Sequence, residues 1–140
     1  MQEPAALLIA AIRRRLKQLV GAQVRAYGLS PAQFWVLNRI FESEGMSSSE
    51  LAMSLHMDQP TTSRVVSALV KSKLVRMEGD PTDRRRGRLL PSARGRALAD
   101  KLHGLALEAR RAVEAGLSAS ERETLRSLLA KALAHIEKLQ

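Results

Sequence analysis

Apolar residues recur at three- and four-residue spacing through most of the chain, the spacing that puts side chains on one face of an α-helix. After Pro4, a stripe of Leu8, Ile12, Leu16, Leu19 and Val20 leaves Arg13, Arg14, Arg15 and Lys17 largely off it, and predicts a helix to about Tyr27, stopped by Gly28. Ser30-Pro31-Ala32-Gln33 reads as a capping box with proline at the first helical position, and Phe34, Leu37, Ile40 and Phe41 carry a second helix to about Ser43, before Gly45. Ser47-Ser48-Ser49-Glu50 is a further box, opening a short helix with Leu51, Ala52 and Leu55 inward. His56-Met57 makes a tight connection. Asp58 then caps a helix with Pro60 in its first turn and Thr62, Val65, Val66 and Leu69 on the inner face.

Beyond Lys73 the pattern shortens to Leu74, Val75 and Met77, the turn formers Gly79-Asp80-Pro81-Thr82-Asp83, the run Arg84-Arg85-Arg86-Gly87-Arg88, and Leu89-Leu90 before Pro91. This predicts a β-hairpin with a long basic tip. Proline supplies no ladder donor, so the second strand is expected to stop by Leu90, with Pro91 leading into a helix cap at Ser92. Leu98, Leu102, Leu105, Ala109 and Val113 then define a long helix ending at Gly116. A third box, Ser118 to Glu121, opens a last helix with Leu125, Leu128, Leu129, Ala132 and Ile136 inward. The fold class that follows is mainly α with one small β-hairpin. The terminal helices carry more apolar surface than one small domain covers, so a second copy of the chain is expected to pack on them.

Charge decides what the middle of this pattern is for. Residues 58–96 hold ten Lys or Arg against four acids, a net of +6 within a chain of net charge +9. The positive charge is therefore concentrated on one helix and one hairpin. The helix's outer face carries Gln59, Thr61, Ser63, Arg64, Ser67 and Lys71, which can hydrogen-bond to base edges or phosphates. A polar helix followed by an arginine-tipped hairpin is the layout of a winged helix-turn-helix DNA reader, with the helix in a major groove and guanidinium groups in an adjacent minor groove.

Other chemistries find little support. The chain has no cysteine, which removes disulfides, thiol redox sensing and Cys-ligated zinc. His56, His103 and His135 lie on distant segments without a second ligand at helical spacing, so neither a metal nor another cofactor is expected. Nucleophile elbows, zinc-protease helices and phosphate-binding glycine loops are absent, and an enzyme is not expected. No apolar stretch reaches membrane-spanning length and no leader pattern opens the chain, so a cytoplasmic location without membrane attachment is the expectation.

The segment GMSSSELAMSLHMDQPTTSRVVSALVKSKLV, followed by DPTDRRRGRLLPSARG, closely resembles the MarR family of bacterial transcriptional regulators. The D-P-x-D-R-R run, about ten residues before a Ser-x-x-Gly at a helix start, is its most specific part. The resemblance implies one MarR-type domain over residues 1–140, with a winged helix-turn-helix at 30–91 and dimerisation helices at 4–27 and 92–138. It implies that Gln59, Thr61, Ser63 and Arg64, with Lys71 on the same face, belong to the major-groove helix. Arg84, Arg85 and Arg86 belong to the wing, with Asp83 steadying Arg85. Helix starts at Ser47–Ser48 and Gln59 offer amides to the DNA backbone. A homodimer on a pseudo-palindromic operator, acting as a ligand-responsive repressor, is the implied function. A small anionic or phenolic effector is implied near Tyr27 and Trp35. The alternative is an architectural DNA-binding protein without effector control. One departure from the family pattern is local: Lys73 stands where a glycine usually precedes the first wing strand, so a left-handed residue there would be strained.

Overall fold

Helix ends determine how this chain is laid out. The computed structural model describes residues 2–79, 82 and 87–140. Asp80, Pro81, Asp83, Arg84, Arg85 and Arg86 of the expected hairpin tip lie outside the described residues, as does Met1. The elements are α1 (Ala5–Val24), a 3-10 turn (Arg25–Tyr27), α2 (Pro31–Glu42), α3 (Ser48–Ser54), α4 (Gln59–Lys71), β1 (Val75–Gly79), β2 (Gly87–Pro91), α5 (Ala93–Ala112) and α6 (Ala119–Glu137). Ser30 and Ser118 close complete capping boxes with Gln33 and Glu121. At α3 the box is incomplete: Ser47 accepts the Glu50 amide, and the Glu50 carboxylate takes the Ser47 hydroxyl, not the backbone N–H of the cap.

Three segments terminate through a paired backbone motif in which two successive amides reach back to carbonyls of the last turn. At the first, Gly28 and Leu29 donate to Arg25 and Val24; at the second, His56 and Met57 donate to Met53 and Ala52; at the third, Lys73 and Leu74 donate to Val70 and Leu69. The motif requires a left-handed residue at its centre. Gly28 supplies it without steric cost, whereas His56 and Lys73 adopt φ of 53° and 61° with side chains in place.

The chain forms two compact units, Met1–Ala109 and Arg110–Gln140. The core of the first draws Val20 and Val24 from α1, Phe34, Leu37 and Ile40 from α2, Leu51 from α3, Val66 and Leu69 from α4, and Leu102 and Leu105 from α5, with Leu89 of β2 fully enclosed. Among the described residues, the polar side chains of Thr62 and Asn38 are buried with them, and both are hydrogen-bonded. Thr62 donates its hydroxyl to Asp58 O at 2.8 Å, while Asn38 donates to Glu42 Oε1 and lies 3.3 Å from His103 Nδ1. In the second unit, Arg122 Nε donates to the carbonyls of Glu114 and Leu117, and Arg126 pairs with Glu114 at 2.7 Å. No residue of α6 is buried.

β1 and β2 pair antiparallel from Val75↔Pro91 to Gly79↔Gly87. Pro91 belongs to the strand, contrary to the expectation that pairing ends at Leu90. Ser92 N donates to Leu74 O, so ladder donors fall on alternate residues and the Pro91 nitrogen faces away from β1, where no hydrogen is wanted. Leu89 also works outward: its N–H reaches Met46 O at 2.8 Å, and Gly45 N reaches Leu89 O at 2.9 Å. This bridge adds a third, one-residue strand at Met46 that the hydrophobic pattern did not reveal.

The α4–β1 corner is held by the start of α5. Ser92 Oγ donates to Lys73 O at 2.7 Å and accepts from Gly95 N at 3.0 Å, and Arg94 Nη1 donates to Ser72 O at 3.3 Å. At Gly95 a Cβ would lie 1.8 Å from Leu74 O, so only glycine fits. Two opposite outcomes are expected in chemical unfolding. Lys73→Gly, which relieves the left-handed strain, raises stability by about 1 kcal/mol. Gly95→Ala lowers it by roughly 1–3 kcal/mol or more, because the Leu74 carbonyl must move.

Candidate nucleic-acid interface

The polar helix α4 begins with its cap. Asp58 Oδ1 accepts the Thr61 amide at 2.7 Å, and Oδ2 accepts the Thr61 hydroxyl at 2.8 Å. These bonds hold the Asp58 carboxyl below the usual carboxylate range, chiefly through the backbone amide of Thr61. The Thr61 oxygen accepts in turn from Arg64 Nη2 at 3.2 Å. Thr62, Val66 and Leu69 point into the core, which by helical spacing turns Gln59, Ser63, Arg64, Ser67 and Lys71 to solvent as one row of donors and acceptors; Thr61 is half-buried between Asp58 and Arg64.

Other predicted contacts fall around this row. Ser47 and Ser48 open α3, and the Glu50 amide there is taken by Ser47. At α4 the Thr61 amide is taken by Asp58. The wing leaves the end of α4 through Leu74, with Arg76 of β1 paired to Glu78 on the same strand face. Arg88 of β2 passes beside Gly45, where an added Cβ would lie 2.8 Å from its Nη2. The Asp83, Arg84, Arg85 and Arg86 positions lie outside the described residues. At the base of the wing, Arg96 of α5 pairs with Glu44 of the α2–α3 loop, and this hydrogen bond holds the Glu44 carboxyl below its ordinary range.

Tyr27 and Trp35 occupy different environments. Tyr27 is exposed, with Lys101 Nζ 5.1 Å from its ring centroid, and Trp35 is half-buried, edge-on to Phe34 at 4.8 Å. A groove of about 780 Å³ lies close to Tyr27 in sequence, between α1 and the start of α2. Its lining includes Arg14, Lys17, Gln18, Arg25, Ser30 and Gln33, with no acid and neither aromatic. Sequence reasoning left Arg14 and Lys17 as charges off the apolar stripe and did not single out Arg25. The separations of these three cations, three, eight and eleven residues, bring them toward one side of a helix and were the available signal.

Comparison with known proteins places this geometry. A family model described as MarR family matches residues 27–86, which run from the end of the 3-10 turn through α2, α3, α4 and β1 and stop before β2. A solved structure of a probable transcriptional regulator from Pseudomonas aeruginosa is 32% identical, covers 93% of this chain and 97% of its own, and superposes with a TM-score of 0.76. The reduced form of MarR from E. coli is 25% identical over 95% of this chain and 98% of its own, with a TM-score of 0.72. S. aureus MepR in a DNA complex shares the fold at 21% identity, with a TM-score of 0.83 and coverage of 96% and 99%.

The Glu44–Arg96 pair has a pH signature. A carboxyl whose folded pKa is depressed contributes stability at neutral pH, and this contribution is lost as pH falls through the folded value. Thermal unfolding across an acid series is expected to show a falling midpoint below the ordinary carboxylate range. Glu44→Gln should be less stable at neutral pH and should lose less on acidification. Parallel acid profiles for the two proteins would show that the pair contributes nothing.

Proposed function

Because this chain belongs to the MarR family of transcriptional regulators, we propose that it acts as a homodimeric repressor that binds a pseudo-palindromic operator and releases it when a small anionic ligand is bound. The observation that carries this reading is the exposed row Gln59, Ser63, Arg64, Ser67 and Lys71 on a helix whose other face is locked into the core. Such a row is free to enter a major groove, and its side chains offer both donors and acceptors. S. aureus MepR, which shares the fold, has been solved bound to DNA. Arg84, Arg85 and Arg86 follow β1 in the chain, and we assign Arg85 to the minor groove, where a planar guanidinium suits the negative potential of A·T-rich DNA.

The dimer reading rests on exposed apolar residues. Leu8 and Ile12 on α1 are 46% and 45% exposed, and on α6 Leu128 and Ile136 are 58% and 52% exposed, with Leu129 and Leu133 beside them. Surfaces of this kind are covered in the assembled state by a second copy, through α1, α5 and α6. Two copies then present two reading helices to half-sites about one helical turn apart. The effector reading rests on the groove lined by Arg14, Lys17 and Arg25, whose uncompensated charge favours a carboxylate or similar anion. No helix among the described residues is long and apolar enough to cross a membrane.

The function is tested by selecting bound sequences from a random duplex pool and then screening anions for release of the enriched site. One enriched pseudo-palindrome with a large specificity ratio is expected; near-equal affinity for all duplexes would favour the architectural alternative. Arg85→Ala should weaken operator binding by roughly 1–3 kcal/mol and relax preference at flanking A·T positions, while the slope of log K against log salt reports about −0.9 per phosphate contacted. Assembly is tested by sedimentation at micromolar concentration. A dimer is expected for the parent chain, and Ile136→Glu with Leu128→Glu should yield a folded monomer with greatly reduced operator affinity.

A further inference from the structure

Asp58, Thr61 and Arg64 recur at three-residue intervals on α4 and form one hydrogen-bonded chain. The direction of each bond is fixed by chemistry. The Asp58 carboxylate has no proton and only accepts, so the single hydroxyl proton of Thr61 points at Oδ2. The Thr61 oxygen is then left with lone pairs alone, and it accepts from Arg64 Nη2. Arg64 has no acceptor of its own and always carries its charge. A threonine methyl, or a valine in its place, could not hold it there.

We infer that Thr61 is a positioning residue for Arg64: the Asp58–Thr61–Arg64 chain sets the guanidinium on the first turns of α4 before DNA arrives, and so sharpens operator recognition without Thr61 reading a base. This rests on α4 being the element that reads DNA. The hydroxyl uses one donor of the guanidinium and leaves the others free, so Arg64 keeps the fork that pairs with a guanine edge or grips a phosphate. Ordering a long side chain in advance removes part of the entropy lost on binding. The effect belongs to the specific complex, in which Arg64 must take one geometry, and not to loose association through charge. Asp58 thereby has two duties that can be separated, because Oδ1 caps the Thr61 amide while Oδ2 orients the hydroxyl.

The test is a double-mutant cycle on the operator enriched from the random pool, with a scrambled duplex measured in parallel. Thr61→Val removes the hydroxyl and keeps the shape; Asp58→Ser keeps a good helix cap but supplies no second acceptor. Each should lower the ratio of operator to scrambled-duplex affinity about three- to ten-fold; Thr61→Val keeps the charge and leaves the scrambled-duplex affinity and the salt slope unchanged, whereas Asp58→Ser also removes a negative charge and strengthens binding to both duplexes alike. Thr61→Ser, which retains the hydroxyl, should bind as the parent does. In an Arg64→Ala background, Thr61→Val should have no further effect. Unfolding midpoints of all variants show whether the helix is intact, and equal losses on both duplexes would reduce the chain to a helix cap and overturn the inference. The same loss from Thr61→Val with and without Arg64 would mean that Thr61 touches DNA itself, and overturns it too. A parent protein that enriches no sequence overturns both this inference and the DNA-reading proposal beneath it, whereas an enriched sequence with additive mutations overturns this one alone.

Discussion

The carbonyl groups at the end of α4 are the constraint on which the first unit depends. α4 ends at Lys71, and the carbonyls that follow it, of Ser72, Lys73 and Leu74, are taken by Arg94, by the Ser92 hydroxyl and by the Ser92 amide. Gly95 permits the approach, since any side chain would collide with Leu74 O. α4, the first wing strand and α5 therefore meet within a few residues of one another. A side chain on α4 is placed relative to the wing by hydrogen bonds from Ser92 and Arg94 to the carbonyls that join the two.

Much of this was legible in the residues. Ser30, Asp58, Ser92 and Ser118 all cap helices where their spacing from Gln33, Pro60, Gly95 and Glu121 put them, because a cap is a local interaction with few competitors. The inner face of α4 followed from the positions of Thr62, Val66 and Leu69. Interactions distant in sequence were not legible. The Met46↔Leu89 bridge joins residues with no shared periodicity, and Pro91 entered a strand because its nitrogen happens to face the unpaired side. His56 takes a left-handed conformation that composition would assign to glycine, since the helix-turn-helix corner imposes the backbone geometry whatever residue stands there.

The candidate site divides along the same line. The outward row on α4 could be read from helical phase alone. The basic groove could not, since Arg14, Lys17 and Arg25 become its lining only when the start of α2 folds beside α1. The Asp58–Thr61–Arg64 chain is intermediate, because its spacing was visible but the direction of its hydrogen bonds needed coordinates. Charge concentration pointed to a nucleic-acid partner; the coordinates then separated the outward row on α4 from Thr61, which is half-buried and bonded to Asp58 and Arg64.

β2 is joined on both of its edges, to β1 through the strand ladder and to the α2–α3 loop through Leu89, whose N–H and carbonyl reach Met46 and Gly45. The root of the hairpin is thus welded to the segment that launches α3. A hinge between wing and helix-turn-helix has nowhere to form at that level without breaking backbone hydrogen bonds, so the root of the finger and the start of α3 tilt as one plate. Any motion of this surface has to carry the plate as a whole, and not fold the finger away.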